Sequence, residues 1–225
     1  MFLSLEGPDG SGKTTQIKKI TNYLTSQGYD VVTTREPGGC PLADKIRALL
    51  LQRDGGDWQK MSEVLLLFAA RLEHLETIIK PALKENKIVI SDRFSDSTYS
   101  YQGYGYGLPL DEIKKIEDIS INSFKPDLTL ILDIDVREGL ERTGRRFDQE
   151  DDDSSATEDR YERMEIEFHE NLRKGYLDIA KKNPVRCRIV DASREEEAVF
   201  ADIKKYINEF MDQNSVGGSH VSIGR

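Results

Sequence analysis

The residues best suited to chemistry lie near the start of the chain, where positions 7–14 read Gly-Pro-Asp-Gly-Ser-Gly-Lys-Thr. This segment matches the pattern G-x-x-x-x-G-K-[ST] completely, and in that pattern the backbone amides of a glycine-rich loop surround phosphate oxygens. Lys13 is placed to reach the β- and γ-phosphates, and the hydroxyl of Thr14 is placed to bind Mg²⁺. The segment, called the P-loop below, therefore predicts binding of a nucleoside triphosphate. Its expected contacts are Gly7, Pro8, Asp9, Gly10, Ser11, Gly12, Lys13, Thr14 and the next residue, Thr15.

The elements on either side of the P-loop are those that would hold it in place. Residues 2–5 form a short apolar run typical of a buried strand, and residues 16–27 carry Ile17, Ile20 and Leu24 at helical spacing. A strand, a glycine loop and a helix N-terminus in this order direct amide groups at an anion. The surrounding pattern thus supports the phosphate-binding interpretation.

Further short apolar runs indicate more buried strands, at residues 30–34, 87–91, 127–133 and 187–190. Helical stretches separate them, at 41–52, 60–85, 110–123, 136–143, 159–182 and 194–212. Continuous apolar strands that alternate with helices are typical of a parallel sheet covered on both faces. We therefore expect one α/β domain over residues 1–212, with three α/β/α layers around a five-stranded parallel sheet. The tail, 213–225, is rich in Gly and Ser and is expected to be disordered.

The composition limits the classes of partner. The chain has 225 residues, a net charge of −9 and only two cysteines, Cys40 and Cys187. An acidic balance argues against a nucleic acid polymer, because such sites need a basic face. No apolar run approaches the roughly 20 residues of a membrane span, and two cysteines do not make a disulfide framework. We therefore expect a protein of the reducing cytoplasm that binds small molecules, without a membrane or nucleic acid partner.

Other polar groups follow the carboxyl ends of the predicted strands, the edge at which open α/β sheets bind ligands. The third strand runs into Asp92 and Arg93, and the fourth ends at Asp133. A carboxylate after an apolar strand can hold Mg²⁺ through water, so both aspartates are candidates. We prefer Asp92, since the neighbouring Arg93 could bind a second phosphate. The chain lacks the Asn-Lys-x-Asp guanine motif and the Ser-Gly-Gly-Gln signature of ABC ATPases, which sets those classes aside.

These motifs resemble those of one family, the bacterial-type thymidylate (dTMP) kinases. The matching strings are Glu-Gly-Pro-Asp-Gly-Ser-Gly-Lys-Thr-Thr at 6–15, Thr-Arg-Glu-Pro-Gly-Gly at 34–39, Asp-Arg at 92–93, Ser-Thr at 97–98, Tyr-Gln-Gly at 101–103 and Lys-Pro-Asp-Leu-Thr at 125–129. They lie within residues 2–210 in the family's order and spacing. The resemblance implies a P-loop kinase fold with a small lid at 142–160, transfer of the γ-phosphoryl group of ATP to dTMP in the presence of Mg²⁺, and a homodimer.

The resemblance also implies roles for single residues of the acceptor site. Asp9 would bind the sugar 3′-hydroxyl of dTMP, and Arg47 and Arg93 would bind its phosphate. Tyr101 would crowd the sugar C2′ and so disfavour ribonucleotides, while Arg71 would read a thymine carbonyl. The other expected contacts are Pro37, which the family often holds after a cis peptide bond, Leu50, Thr98 and Gln102.

One expected contact with the base is ambiguous. Family members usually carry a Phe four residues before the arginine that reads thymine, but four before Arg71 is Leu67, and Phe68 comes one residue later. Both spacings lie on one side of a helix. Either Leu67 gives the base a plain apolar face or a local shift lets Phe68 stack on it.

The family divides by the source of its catalytic cation, which lies either in the P-loop or in the lid. This P-loop has no arginine, so the chain resembles the lid-arginine kind. Arg142 would then stack on adenine, and Arg145, Arg146 or Arg160 would neutralise charge on the transferring phosphoryl group. The expected catalytic set is Lys13, Asp9, Arg93, Arg145, Arg146 and Arg160. An acidic run at 148–159 interrupts the lid and is expected to be a solvated loop.

Two rival functions stay open at this point. The nearer one is another nucleoside or nucleoside monophosphate kinase, which a panel of phosphate acceptors would reveal. The other is a P-loop switch or partner-binding ATPase, which would hydrolyse ATP without any nucleotide acceptor and would not need the Asp-Arg and Tyr-Gln motifs.

Overall fold

A computed structural model describes residues 1–51, 58–147, 161 and 164–216. One sheet is built from β1 (Phe2–Glu6), β2 (Val31–Arg35), β3 (Ile88–Asp92), β4 (Leu128–Asp133) and β5 (Cys187–Asp191). Neighbouring strands all run parallel, in the order β2-β3-β1-β4-β5. The predicted five-stranded parallel sheet is confirmed, and each predicted strand is found within one or two residues of its expected position.

The described helices are α1 (Lys13–Ser26), α2 (Pro41–Leu51), α3 (Lys60–His74), α4 (Lys80–Lys84), α5 (Ser95–Thr98), α6 (Leu110–Ile121), α7 (Val136–Phe147), α8 (Ile166–Lys182) and α9 (Glu196–Val216). Two π-helical segments extend them. Leu75–Ile79 joins α3 to α4, so the helix predicted at 60–85 is one continuous helical stretch, and Tyr99–Gly105 continues α5. No described helix combines the length and apolar character needed to cross a bilayer.

The helices cover both faces of the sheet, because successive residues of a strand point to opposite faces. In β1, Leu3 packs in a cluster with Ile20 of α1 and with the apolar side of α9. Its neighbour Phe2 packs in a different cluster with Phe68 of α3 and with α6. In β4, Ile131 packs against α8. The three-layer α/β/α arrangement is therefore confirmed.

The helical segment Ser95–Gly105 is missing from the sequence prediction. Its sequence, Ser-Asp-Ser-Thr-Tyr-Ser-Tyr-Gln-Gly-Tyr-Gly, is dominated by residues with low helix propensity. The helix forms because its side chains are buried: Ser95, Thr98, Tyr101 and Gln102 are all shielded from solvent. Tertiary packing, mainly against α8, overrides the local preference here.

Three other helix boundaries also differ from the prediction. The helix α8 begins at Ile166 rather than 159, since Glu165 before it has an extended backbone with φ −60° and ψ 153°. The helix α7 continues to Phe147 instead of ending at 143. The last helix, α9, reaches Val216, so the first residues of the tail predicted to be disordered are helical. The acidic segment 148–159 and residues 217–225 lie outside the described residues.

Candidate active site

The P-loop joins β1 to α1 and depends on its glycines. Gly10 has φ +77°, and a Cβ on it would lie 2.0 Å from the carbonyl oxygen of Gly139 in α7. Gly7 has φ +135°, and a Cβ there would lie 2.4 Å from the carbonyl oxygen of Leu132 in β4. These backbone conformations and close approaches exclude a side chain. The loop is therefore pressed against the carboxyl end of β4 and the first turns of α7.

Lys13 is buried at the start of α1, beneath the loop. Its Nζ donates hydrogen bonds to the carbonyl oxygens of Gly7 at 3.1 Å and Pro8 at 3.0 Å. Burial lowers the pKa of Lys13, and repulsion from Arg93 lowers it further, against the attraction of nearby carboxylates. Thr14 follows on the exposed side of the first turn of α1. The ammonium group of Lys13 and the exposed hydroxyl of Thr14 thus lie at the N-terminus of a helix, the arrangement expected for binding phosphate and a metal ion.

Asp9 connects the P-loop with the neighbouring elements. Its Oδ1 accepts a hydrogen bond from Arg93 Nη2 at 2.6 Å and lies 3.7 Å from Lys13 Nζ. Its Oδ2 accepts one from the hydroxyl of Tyr101 at 3.1 Å. Burial alone would raise the pKa of Asp9, but the charges of Arg93 and Lys13 outweigh it and hold the pKa well below its usual range. Lys13, Arg93 and Tyr101, predicted from three separate motifs, therefore meet at the carboxylate of Asp9.

Arg71 of α3 lies at the centre of a second group of buried polar side chains. Its Nε donates to Glu36 at 2.7 Å, and its Nη2 donates to the Thr98 hydroxyl at 3.0 Å. The second carboxylate oxygen of Glu36, Oε1, lies 2.9 Å from His74 Nδ1, and His74 Nε2 lies 2.6 Å from the Thr34 hydroxyl. The Nη1 atom of Arg71 is buried and has no hydrogen-bond partner among the described residues. A buried guanidinium nitrogen of this kind is ready to donate to a ligand carbonyl.

The two candidates for contact with the base have different surroundings. Phe68 is fully buried in the cluster under the sheet, and the Arg71 guanidinium lies 4.6 Å from its ring centroid. Leu67 belongs to another cluster, together with Leu50 and with Tyr161 packed against it. Phe68 therefore stacks on the arginine, while Leu67 and Leu50 form the apolar surface next to it.

Gln102 contributes a further polar group near this apolar surface. Its Nε2 donates to Glu63 Oε1 at 2.7 Å and to the Tyr161 hydroxyl at 3.2 Å. Its Oε1 is buried and accepts no hydrogen bond from the part of the chain that the structure describes. Because the amide nitrogen is held by two groups, the amide oxygen is fixed in orientation and able to accept a hydrogen bond.

Pro37 and Arg47 lie at the entrance of the same region. The Glu36–Pro37 peptide bond is cis, as the resemblance implied. Arg47 Nη1 donates to the Pro37 carbonyl oxygen at 2.9 Å, and its side chain is only partly buried. The loop that contains the cis bond therefore holds this arginine at Pro37, the residue that follows Glu36.

The two strand-end aspartates differ in their partners. Arg173 of α8 binds both carboxylate oxygens of Asp133, with Nε at 2.7 Å from Oδ1 and Nη2 at 3.0 Å from Oδ2. Asp92, in contrast, has a buried Oδ1 that no described residue meets with a hydrogen bond. An ion-paired carboxylate is a poor ligand for water or metal, whereas an unpartnered buried oxygen suits both. This geometry favours Asp92 over Asp133.

The expected lid residues are described only in part. Arg142 donates to Glu138 at 2.6 Å and to the carbonyl oxygen of Ala192 at 2.9 Å, which ties it to the loop after β5. Arg145 and Arg146 belong to the last turns of α7. The predictions for their side chains and for Arg160 lie outside the described residues.

Three residues at the site escaped the sequence reading: Glu6, His74 and Tyr176. Glu6 ends β1 and is fully buried, and burial, with repulsion from Asp96, raises its pKa to about 8. The sequence could have indicated Glu6, because it is a charged residue at the end of an apolar run. His74 comes three residues after Arg71 on the same helix, a spacing that brings side chains together. Nothing in the sequence connects Tyr176 with Arg93, whose Nη1 lies 2.8 Å from its hydroxyl.

The parallel sheet, the P-loop at its carboxyl edge and the arginines facing it define a P-loop phosphotransferase that acts on nucleotides. A family model described as thymidylate kinase matches residues 5–203. The chain therefore belongs to the thymidylate kinase family and is a kinase.

Individual relatives agree with this assignment. The chain is 46% identical over 202 residues to the thymidylate kinase of Geotalea uraniireducens (strain Rf4), covering 90% of this chain and 93% of the relative. It is 39% identical over 217 residues to that of Desulfovibrio desulfuricans, covering 96% and 99%. The crystal structure of thymidylate kinase from Ehrlichia chaffeensis superposes with a TM-score of 0.72 at 38% identity, covering 92% of this chain and 98% of the other.

Proposed function

We propose that the protein transfers the γ-phosphoryl group of ATP to dTMP, giving ADP and dTDP, through the residues described above. The observation that carries this proposal is the position of Asp9. It belongs to the P-loop, yet its carboxylate is bound by Arg93 and Tyr101 from the other side. A donor site at the P-loop and an acceptor site at Arg93 and Tyr101 would thus share one residue, as direct transfer between two nucleotides requires.

The donor side would use the P-loop and Lys13. The loop amides and the N-terminus of α1 would bind the ATP phosphates, and Lys13 would exchange its carbonyl partners for phosphate oxygens. The pKa of Lys13 is lowered because the ammonium group is buried and repelled by Arg93, and the nearby carboxylates do not fully compensate for these two effects. Bound phosphate would supply the remaining negative charge.

The acceptor side would use two groups of residues. Arg93 and Arg47 would bind the dTMP phosphate, Asp9 would accept from the 3′-hydroxyl, and Tyr101 would exclude a 2′-hydroxyl by contact. Arg71 Nη1 would donate to a thymine carbonyl, since it is buried and the described residues offer it no hydrogen-bond partner. Thr98, Gln102, Leu50, Leu67, Phe68 and Pro37 would complete the pocket.

The donor set also fits a Mg²⁺ ion. The exposed hydroxyl of Thr14 and the unpartnered Oδ1 of Asp92 are the oxygen groups that would hold it, directly or through water. The bound ion would neutralise charge on the ATP phosphates. The protein itself would align the two nucleotides and exclude water, which would otherwise accept the phosphoryl group. Arg145, Arg146 or Arg160 of the lid would supply the remaining positive charge, because the P-loop carries no arginine.

The test is ADP release measured with a panel of acceptors: dTMP, dUMP, UMP, CMP, AMP and thymidine. We expect dTMP to give by far the highest kcat/KM. Equal use of another monophosphate would favour the broader class of nucleoside monophosphate kinases. ADP release that does not depend on any acceptor would contradict nucleotide phosphorylation and favour a P-loop ATPase.

We also propose a homodimer joined through α2 and α3. Each helix exposes leucines seven residues apart, Leu42 and Leu49 on α2 and Leu65 and Leu72 on α3, so each pair lies on one side of its helix. The two helices pack on each other, and their exposed leucines would form one apolar surface. Light scattering should give twice the chain mass for the wild type and a single chain mass for Leu65→Glu. A monomeric wild type would contradict the proposal.

A cytoplasmic location is proposed as well. Cys40 and Cys187 are both free and buried, which suits a reducing compartment.

A further inference from the structure

The backbone of Arg93 adopts an uncommon conformation, with φ +70°. Left-handed conformations are disfavoured for residues other than glycine and persist where the surroundings hold them. Here the Arg93 amide donates to the Leu5 carbonyl at 2.9 Å, and its carbonyl accepts from the Ser91 hydroxyl at 2.7 Å. The next amide, of Phe94, donates to Glu6 at 2.7 Å. The turn after β3 is therefore built to fix the direction in which Arg93 leaves the sheet.

The guanidinium of Arg93 is held as firmly as its backbone. Nη2 is bound to Asp9, while Nη1 donates to the Gly7 carbonyl at 3.0 Å, to the Ser97 hydroxyl at 3.2 Å and to the Tyr176 hydroxyl at 2.8 Å. The Ser97 hydroxyl in turn donates to Glu6 at 2.6 Å and lies 2.8 Å from that of Tyr176. Fixing an arginine side chain costs rotamer entropy, so contacts that hold it before substrate binds strengthen the later interaction.

Tyr176 is the one member of this group that comes from α8. Its side chain is 1% exposed, and the helix turn just before it is anchored at two points. One residue earlier, Gly175 lies so close to Tyr104 that an added Cβ would be 2.8 Å from its ring. Three residues earlier, Arg173 binds Asp133 at the end of β4. Tyr176 thus connects Arg93 with a fixed helix, and that helix follows directly on the segment expected to form the lid.

We propose that Tyr176, together with Ser97, is a positioning residue that holds the Arg93 guanidinium ready for the acceptor phosphate. This rests on the proposed function, in which Arg93 binds dTMP. Without the two hydroxyls, the contacts of Nη1 would reduce to the Gly7 carbonyl, and the guanidinium could rotate away from the acceptor. The effect should concern the acceptor and spare ATP, because within the described residues Lys13 donates to the carbonyl oxygens of Gly7 and Pro8 and to neither hydroxyl.

The test compares Tyr176→Phe with Tyr104→Phe. Tyr104 also places its hydroxyl against α8, where it donates to Asp178, but it does not touch Arg93. We expect Tyr176→Phe to lower kcat/KM for dTMP about tenfold or more, the loss typical of one hydrogen bond to a charged group. The KM for ATP should stay within about twofold of the wild type, and Tyr104→Phe should leave both constants within that range.

Variants of Ser97 test the same contacts of the Arg93 guanidinium, in case Tyr176→Phe folds poorly. Ser97→Ala removes the hydroxyl and should raise the KM for dTMP, whereas Ser97→Thr keeps it and should recover most of the loss. A Tyr176→Phe variant with the kinetics of Tyr104→Phe would overturn the proposal, as would equal changes in both KM values, since a general structural role predicts no preference for the acceptor. Failure of the wild type itself to phosphorylate dTMP would instead overturn the proposed function.

Discussion

The buried ion pair between Arg71 and Glu36 allows the effects of one residue on stability and on recognition to be separated. Both side chains are only 3% exposed. Arg71→Met would leave the Glu36 carboxylate buried with His74 as its remaining partner and would remove hydrogen bonds to Thr98 and the Phe94 carbonyl. Breaking one side of a buried pair costs about 3–5 kcal/mol of unfolding free energy. The double variant Arg71→Met/Glu36→Gln removes both charges and should recover a large part of that loss.

Recognition of dTMP should not recover in the double variant. Arg71 Nη1 is proposed to donate to a thymine carbonyl, and a hydrogen bond from a charged group is worth about 1.5–3 kcal/mol. Its loss should raise the KM for dTMP about 10- to 150-fold in both variants. The KM for ATP should change little, because the hydrogen bonds of Arg71 to described residues go to Glu36, Phe94 and Thr98, which lie outside the P-loop.

The assays are urea unfolding followed by circular dichroism and steady-state ADP release with dTMP and ATP varied in turn. Lys125→Met is the matched control, since it leaves the fully buried Glu117 without its ammonium partner, and the partners of Lys125, Glu117 and Ser95, are not proposed contacts of dTMP. It should reduce stability while the KM for dTMP stays normal. If the double variant regained both stability and a normal KM for dTMP, Arg71 would act through the fold alone and the base would bind elsewhere.

Three more predictions concern the P-loop, the lid and Glu6. Lys13→Ala should lower kcat about 10²-fold or more with unchanged circular dichroism, and a variant keeping above roughly a tenth of the activity would contradict the P-loop assignment. Replacing both Arg145 and Arg146 with Gln should lower kcat about 10³-fold with little change in either KM. Replacing residues 150–153 by Ser and Gly should mainly alter the salt dependence of kcat. Normal turnover by the arginine variant would exclude Arg145 and Arg146 as the catalytic cations. In the folded protein the pKa of Glu6 is raised from 4.5 to about 8, so the folded state binds more protons than the unfolded state between these pH values. The free energy of unfolding should therefore fall as the pH rises from 4.5 to 8, by on the order of 4 kcal/mol. Urea unfolding of Glu6→Gln should lack that fall.

The sequence predicted those parts of the structure that depend on local patterns. The five strands were found because each is a short, continuous apolar run, and the P-loop because its spacing is fixed by phosphate binding. The segment Ser95–Gly105 was missed because its helix results from packing against α8 and not from its own residues.

The contacts between site residues could be predicted only in part, because distant segments create them. Asp92 and Asp133 each follow an apolar strand, and the sequence favoured Asp92 through its neighbour Arg93 alone, whereas the ion pair between Arg173 of α8 and Asp133 distinguishes the two carboxylates directly. Leu67 and Phe68 differ only once the fold places Phe68 under Arg71. The link from Tyr176 to Arg93 joins positions far apart in the chain, so a local pattern had no means of revealing it.

The contact between the tip of the P-loop and α7 has a mechanical consequence. Gly10 and Gly139 meet backbone to backbone, without side chains that could yield. The near end of α7 is thereby pressed on the loop that would bind ATP, while its far end leads into the lid segment. From Gly139 to Phe147 the helix spans about 12 Å, so a tilt of about 20° at this contact would carry its far end about 4 Å. The glycine pair would thus act as a pivot: a small rotation of α7 about it would shift the C-terminal turn of the helix by several ångströms, while the contact with the P-loop is kept.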